Sequence, residues 1–110
     1  MSSNAPLMSP KDLSENLSKH IVVDVRRPDE WFGELGHIEG AKLVTLGEDL
    51  TDFIKNSRKD DSFVFVCRSG KRSDAAALEA TAAGLEFSYN MDGGMILWNE
   101  KSLPTIKPQL

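Results

Sequence analysis

Cysteine is nearly absent from this sequence, with one in 110 residues, at position 67. A single thiol excludes an intrachain disulfide and fits a reducing compartment. The two histidines, His20 and His37, stand far apart and leave no cluster at metal-ligand spacing, so no metal site is expected, and no motif asks for a cofactor. Positive charge is in deficit: 13 Lys and Arg against 17 Asp and Glu give a formal net charge of -4. That balance excludes a protein that works by neutralising nucleic-acid phosphates, although a local cationic patch remains compatible with it. The opening stretch MSSNAPLMSPKDL has no basic segment followed by a long apolar one. Neither a signal peptide nor a membrane-spanning helix is expected there, no membrane partner is implied, and the expected location is the cytoplasm.

Repeats and low-complexity segments are also missing. What remains, 40% hydrophobic and 27% charged residues, is the balance of a soluble globular chain. The length suits one hydrophobic core, so a single domain over 1–110 is expected, its core at about 5–104 and a short tail at 105–110. No feature calls for an oligomer.

The pattern alternates strands and helices. Ser9-Pro10-Lys11-Asp12 combines a capping hydroxyl, a proline at the first helical position and an early carboxylate, predicting a helix over Pro10 to Leu17. Ile21 to Val25 is β-branched and almost continuously apolar, as a parallel strand covered on both faces requires. Arg26 to Gly40 reads as a loop with one helical turn and Trp31 and Phe32 as anchors, and Ala41 to Leu46 as a short strand. Helical spacing of Leu50, Phe53 and Ile54 predicts a helix within Gly47 to Ser57, before a turn over Asn56 to Asp61 and a strand over Ser62 to Val66. Alanine-rich Ser73 to Ala83 predicts a helix stopped by Gly84; a strand over Phe87 to Tyr89, a turn at Asp92-Gly93-Gly94 and a helix over Met95 to Asn99 follow. The expected fold class is α/β with a mainly parallel sheet and helices on both faces.

Chemistry concentrates in FVFVCRSGKRS, residues 63–73. Cys67 stands where an apolar strand ends and a helix is about to begin, the position at which open parallel sheets place their sites. Backbone N–H groups from Arg68 to Ser73 can curl around the sulfur, and Gly70 permits the tight turn. A free thiol titrates near about 8.5; a helix N-terminus with Arg68, Lys71 and Arg72 nearby lowers that value and favours the thiolate. The alternative is a buried cysteine packed as a small hydrophobe.

The loop Cys67-Arg68-Ser69-Gly70-Lys71-Arg72 resembles the active-site loop of the rhodanese family of sulfurtransferases. Asp24-Val25-Arg26-Arg27-Pro28-Asp29-Glu30-Trp31 with Gly36-His37-Ile38-Glu39-Gly40-Ala41 is similar to that family's upstream signature, and Asp92-Gly93-Gly94 with Trp98 to its C-terminal one. The proline common after the upstream signature is missing from Lys42 to Leu46. The resemblance spans about Ile21 to Pro104. It implies a doubly wound fold and transfer of a sulfane sulfur, from thiosulfate or a similar anionic donor, through a persulfide on Cys67 to cyanide or an external thiol. Cys67 is then the nucleophile and Arg68, Ser69, Gly70, Lys71, Arg72 and Ser73 the substrate cradle. Arg72 and Lys71 at the rim would draw in the donor, and Arg68 would do the same or pair with Asp24 or Glu30.

Asp24, Arg26 and Glu30 are expected to brace the loop from behind, since a buried carboxylate or guanidinium is seldom left unpaired. His37 belongs to a segment that reads as structural, and Trp31 and Trp98 as anchors. Three other functions compete. A phosphatase or arsenate reductase would place Arg five intervening residues after the cysteine, where this chain has Ser73; a regulatory binding module often lacks the cysteine; a redox sensor needs an exposed thiol and, here, an external partner.

Overall fold

A computed structural model of the protein describes residues 4–107; Pro108, assigned above to the tail, lies outside the described residues. In chain order the elements are β1 (Leu7–Met8), α1 (Pro10–Glu15), a 3-10 turn (Leu17–Lys19), β2 (Ile21–Asp24), α2 (Pro28–Trp31), β3 (Lys42–Leu43), α3 (Glu48–Lys55), β4 (Ser62–Val66), α4 (Lys71–Ala82), β5 (Phe87–Met91) and α5 (Gly94–Glu100). The five strands form one sheet in the order β1-β5-β4-β2-β3, and every pairing is parallel.

Strand alternation divides the core in two. Val23, Phe63, Phe65 and Cys67 pack with Leu50 and Ile54 of α3 and Ala76, Ala77 and Ala80 of α4. Val22, Val64 and Val66 pack on the other side with Leu13 of α1 and Met95 and Trp98 of α5. Both faces of β2 and β4 are therefore covered, which is why these strands read as unbroken apolar runs. Ser9 Oγ accepts from the Asp12 N–H at 3.1 Å, the cap expected for α1.

From β2 the chain steps through α2 to β3 on one side, then returns through α3 to β4 on the other side of β2. The order reverses between β2 and β4, so a crevice opens outside their carboxyl ends. Asp24 ends β2 and Cys67 follows β4, and the two strands pair in register up to Asp24 opposite Val66.

Several boundaries differ from expectation. α1 stops at Glu15, where the Asn16 N–H turns back to the Leu13 carbonyl. β3 shrinks to two residues, although Val44 and Leu46 still donate to the Asp24 and Val25 carbonyls and so follow the end of β2. β5 runs on to Met91 because Asn90 bridges between the edge strand β1 and β4. Ile106, placed in the tail by the sequence, exchanges both backbone hydrogen bonds with His37 at 2.8 and 2.9 Å. No described helix is long and apolar enough to cross a membrane.

Candidate active site

The cysteine loop is tighter than expected because α4 begins at Lys71, with Gly70 as its cap at φ 107°. Lys71, Arg72 and Ser73 thus form the first helical turn, and Cys67, Arg68, Ser69 and Gly70 alone connect strand to helix. Two hydrogen bonds hold the start of this connection to α5: the Met95 N–H donates to the Cys67 carbonyl at 2.8 Å and the Ile96 N–H to the Arg68 carbonyl at 3.0 Å. Gly94 sits beneath both carbonyls at φ 61°, and a Cβ there would collide with the Arg68 and Cys67 carbonyl oxygens. The Asp92-Gly93-Gly94 turn therefore has a concrete task, which is to bring α5 into contact with the loop.

Cys67 is 1% exposed. Its sulfur accepts the Gly70 N–H at 3.1 Å and lies 3.2 Å from Ser73 Oγ. Burial, the largest influence, pushes the thiol up; the Ser73 hydroxyl and the N–H groups of Ser73, Gly70 and Ser69 pull it down and together prevail, leaving it below its ordinary value. Of the amide ring expected from Arg68 to Ser73, the Gly70 N–H makes the hydrogen bond to sulfur, and those of Ser69 and Ser73 add to the pull. The expectation of an exposed thiol, on which the redox-sensor alternative leaned, is corrected by this burial.

The cations part company. Arg72 was expected free at the rim; instead its two terminal nitrogens grip the Glu30 carboxylate at 2.7 and 2.8 Å, with side-chain exposures of 33% and 15%. The reason is the position of α2, whose first turn lifts Glu30 over the loop while its Oε1 also accepts the Arg27 N–H at 3.3 Å. Arg72 holds the Glu30 carboxyl down at about 2 against the opposing effect of burial. Arg26 and Asp24, each 1% exposed, form a second pair: Nε and Nη2 of Arg26 donate to the carboxylate at 2.9 and 2.7 Å. Nη2 also reaches the Gly36 carbonyl at 2.8 Å, which ties the loop after α2 to the end of β2.

Arg68 therefore pairs with neither Asp24 nor Glu30, since those carboxylates are occupied by Arg26 and Arg72. Arg68 and Lys71 are exposed, and neither makes an ion pair among the described residues. Each borders an open recess beside the loop. One of about 270 Å³ is lined by Ser69, Gly70, Lys71 and Asn90, among others; one of about 180 Å³ by Arg26, Glu30 and Arg68, among others.

His37 stands apart from the sulfur chemistry. Its ring stacks on Trp31 at 3.7 Å and its Nδ1 donates to the Trp31 carbonyl at 3.1 Å, so it fastens the loop after α2. His20 bonds Ser62 Oγ at 2.7 Å, and burial with nearby Lys19 lowers its titration point. Trp98 is buried and donates its Nε1–H to the Pro104 carbonyl at 2.9 Å. The sequence reading missed Asn90, which contacts both Ser73 and Gly70. It lies just past the strand expected over Phe87 to Tyr89, and nothing in its sequence neighbourhood marks its partners. No group of three or more potential metal ligands occurs among the described residues.

Two outcomes follow from this geometry. Gly94→Ala is expected to cost about 2–4 kcal/mol in urea unfolding, through left-handed strain and overlap with two carbonyls, and to slow Cys67 alkylation at neutral pH as the amides lose alignment. Glu30 has a folded pKa near 2 against an ordinary 4.5, so its stabilising contribution is fully present above about 4.5 and fades as pH falls toward 2. Glu30→Gln should thus lower stability by about 1 kcal/mol at neutral pH, given the solvent on the Arg72 side of the pair, and the gap to the parent chain should close in unfolding curves between those two pH values.

Comparison with known proteins agrees with the architecture. The family model for the rhodanese-like domain matches residues 9–101. A thiosulfate sulfurtransferase, GlpE, of Pseudomonas putida is 36% identical over 78 residues, 71% of this chain and 68% of that protein. A rhodanese-related protein of Thermoplasma volcanium superposes with a TM-score of 0.82 at 28% identity, over 92% of this chain and 97% of the other. The human single-domain sulfurtransferase TSTD1 gives 0.77 at 26% identity, over 88% and 97%. By family match, relatives and fold together, this chain belongs to the rhodanese-like domain family.

Proposed function

We propose that the protein is a sulfurtransferase that carries a sulfane sulfur on Cys67. The observation that carries this reading is the buried Cys67 sulfur at the start of α4, which accepts the Gly70 N–H at 3.1 Å and lies 3.2 Å from the Ser73 hydroxyl, surroundings that favour its ionised form without a neighbouring base. The thiolate attacks the outer sulfur of an anionic donor such as thiosulfate. A new bond forms between Sγ and that sulfur, the bond to the sulfonate sulfur breaks, and its electron pair leaves with sulfite. The resulting persulfide anion then gives its outer sulfur to cyanide or to an external thiolate, which returns Cys67 as the thiolate. Proton transfer is not required in either step.

Ser69, Gly70 and Ser73 supply hydrogen bonds to the sulfur in this reading, Arg68 and Lys71 draw in the anion, and Arg72 acts with Glu30 as a brace. Asp24 and Arg26 hold the back of the crevice. So enclosed a sulfur favours a donor whose reacting end is a single atom. The phosphatase reading finds less support, because a phosphate clamp needs a guanidinium turned to the cysteine and Arg72 already has both terminal nitrogens on a carboxylate. The cytoplasm is the compartment that best keeps such a thiol reduced.

Mass spectrometry after incubation with thiosulfate is expected to show the gain of one sulfur atom by the parent chain and none by Cys67→Ser. Phosphatase turnover without sulfur gain would reject the proposal. In the steady state, Arg68→Ala and Lys71→Ala are each expected to raise KM for thiosulfate about three- to tenfold with little change in kcat, because they act on capture of the anion rather than on the step at sulfur.

A further inference from the structure

Ser73 and Asn90 share an arrangement that is one hydrogen short. Asn90 Nδ2 donates to the Gly70 carbonyl at 3.0 Å. A carbonyl only accepts, so the amide orientation is fixed and Oδ1 is the atom that faces Ser73 Oγ, at 2.5 Å. The same Ser73 oxygen lies 3.2 Å from Cys67 Sγ. A hydroxyl has a single hydrogen for these two neighbours. At 2.5 Å two oxygens repel unless that hydrogen lies between them, so here it points to Asn90, and the sulfur faces a lone pair. A lone pair suits a neutral sulfur, whose S–H can donate to it, and opposes a thiolate.

We propose that Asn90 is a positioning residue for Cys67: its Oδ1 takes the Ser73 hydroxyl hydrogen while Sγ is uncharged, and when the thiol ionises the hydrogen turns to Sγ and the two oxygens move apart. Under the sulfur-transfer reading, on which this last step rests, Sγ loses its charge again when it bonds to a second sulfur, and the hydrogen returns to Asn90. One hydroxyl rotation then follows each turn of the charge on Sγ. The charged groups on the surrounding elements are Arg72 with Glu30, Asp24 with Arg26, Arg68 and Lys71, Asp74 in the first turn of α4, which accepts the Ala5 N–H, and Asp92 after β5. None of them touches Ser73 Oγ or Asn90 Oδ1 in a hydrogen bond among the described residues.

The sign of the effect is specific. Asn90→Leu removes the competing acceptor, so the hydroxyl turns to sulfur and the thiolate becomes more populated. Asn90→Asp provides a stronger acceptor and a like charge, so the thiolate becomes less populated. A loosened loop would not give opposite signs. The test is the pH dependence of iodoacetamide alkylation of the full chain, with circular dichroism to check folding. On the acidic limb Asn90→Leu is expected to react about three- to tenfold faster than the parent, and in a Ser73→Ala background the same substitution should change the rate less than about twofold. If Asn90→Leu does not fold, Asn90→Asp decides, and it should slow alkylation more with Ser73 present than with Ser73→Ala. Equal effects in the two backgrounds, or no acceleration by a folded Asn90→Leu, would overturn the proposal. These rates need no sulfur donor: failure to load sulfur from thiosulfate with the alkylation pattern intact would count against transfer alone, and normal loading with a flat alkylation pattern against Asn90 alone.

Discussion

The site depends on two peptide planes. A trans peptide directs its carbonyl and its N–H to opposite sides. With the Cys67 and Arg68 carbonyls held by the first amides of α5, the N–H groups of Arg68 and Ser69 must point away from that helix. For Ser69 that direction is toward the sulfur. The chain from Gly93 to Ile96 thereby sets the conformation of a loop some 25 residues earlier in sequence. This also explains why Gly94 tolerates no side chain: any atom there would push apart the contact that aligns the amides.

The electrostatics of the sulfur follow from the same constraint. Cations crowd this loop in the sequence, yet two of the four nearby guanidinium and ammonium groups are committed, Arg26 to Asp24 and Arg72 to Glu30. Backbone amides carry what remains of the stabilisation close to the atom, and dipoles in a buried setting are less weakened by salt than exposed charges. The committed cations serve mechanical ends. Arg72 joins α4 to α2, and Arg26 joins β2 to the loop before Gly36. Loss of either partner would leave a charge on the wall of the crevice with nothing to answer it.

These distinctions mark the limit of what the linear sequence reveals. The strands Ile21–Asp24 and Ser62–Val66 were legible because both their faces are covered, and α1 because its cap, proline and carboxylate are adjacent in the chain. The cysteine loop was legible from its place between an apolar strand and a helix. β1 was not: it has two residues, and Leu7 is 61% exposed, so no pattern distinguishes it from a terminus. Nor was the Arg72–Glu30 pair, whose members are 42 residues apart and meet through the placing of α2. Local composition made Arg72 look free at the rim, and a long-range contact occupies it. Asn90 was not legible either: it follows the strand expected over Phe87 to Tyr89, and its partners come from α4 and the loop before it.

The enclosure of Cys67 is compatible with chemistry precisely where the reacting group is small. A tetrahedral oxyanion held as in a phosphatase needs donors spread around it and a guanidinium to match two of its oxygens. Here the loop has one residue fewer before its arginine, its donors converge on the sulfur itself, and the arginine turns outward to Glu30. What such a loop can stabilise is charge on one or two sulfur atoms. In the proposed cycle an added sulfur extends the cysteine by one bond and carries the charge on its outer atom, while Sγ becomes neutral beneath it. The inner hydroxyl and the outer cations then address different atoms of one group. In the proposed cycle that division lets a single loop accommodate the cysteine in both its free and its sulfur-loaded forms without rearranging the backbone that α5 holds in place.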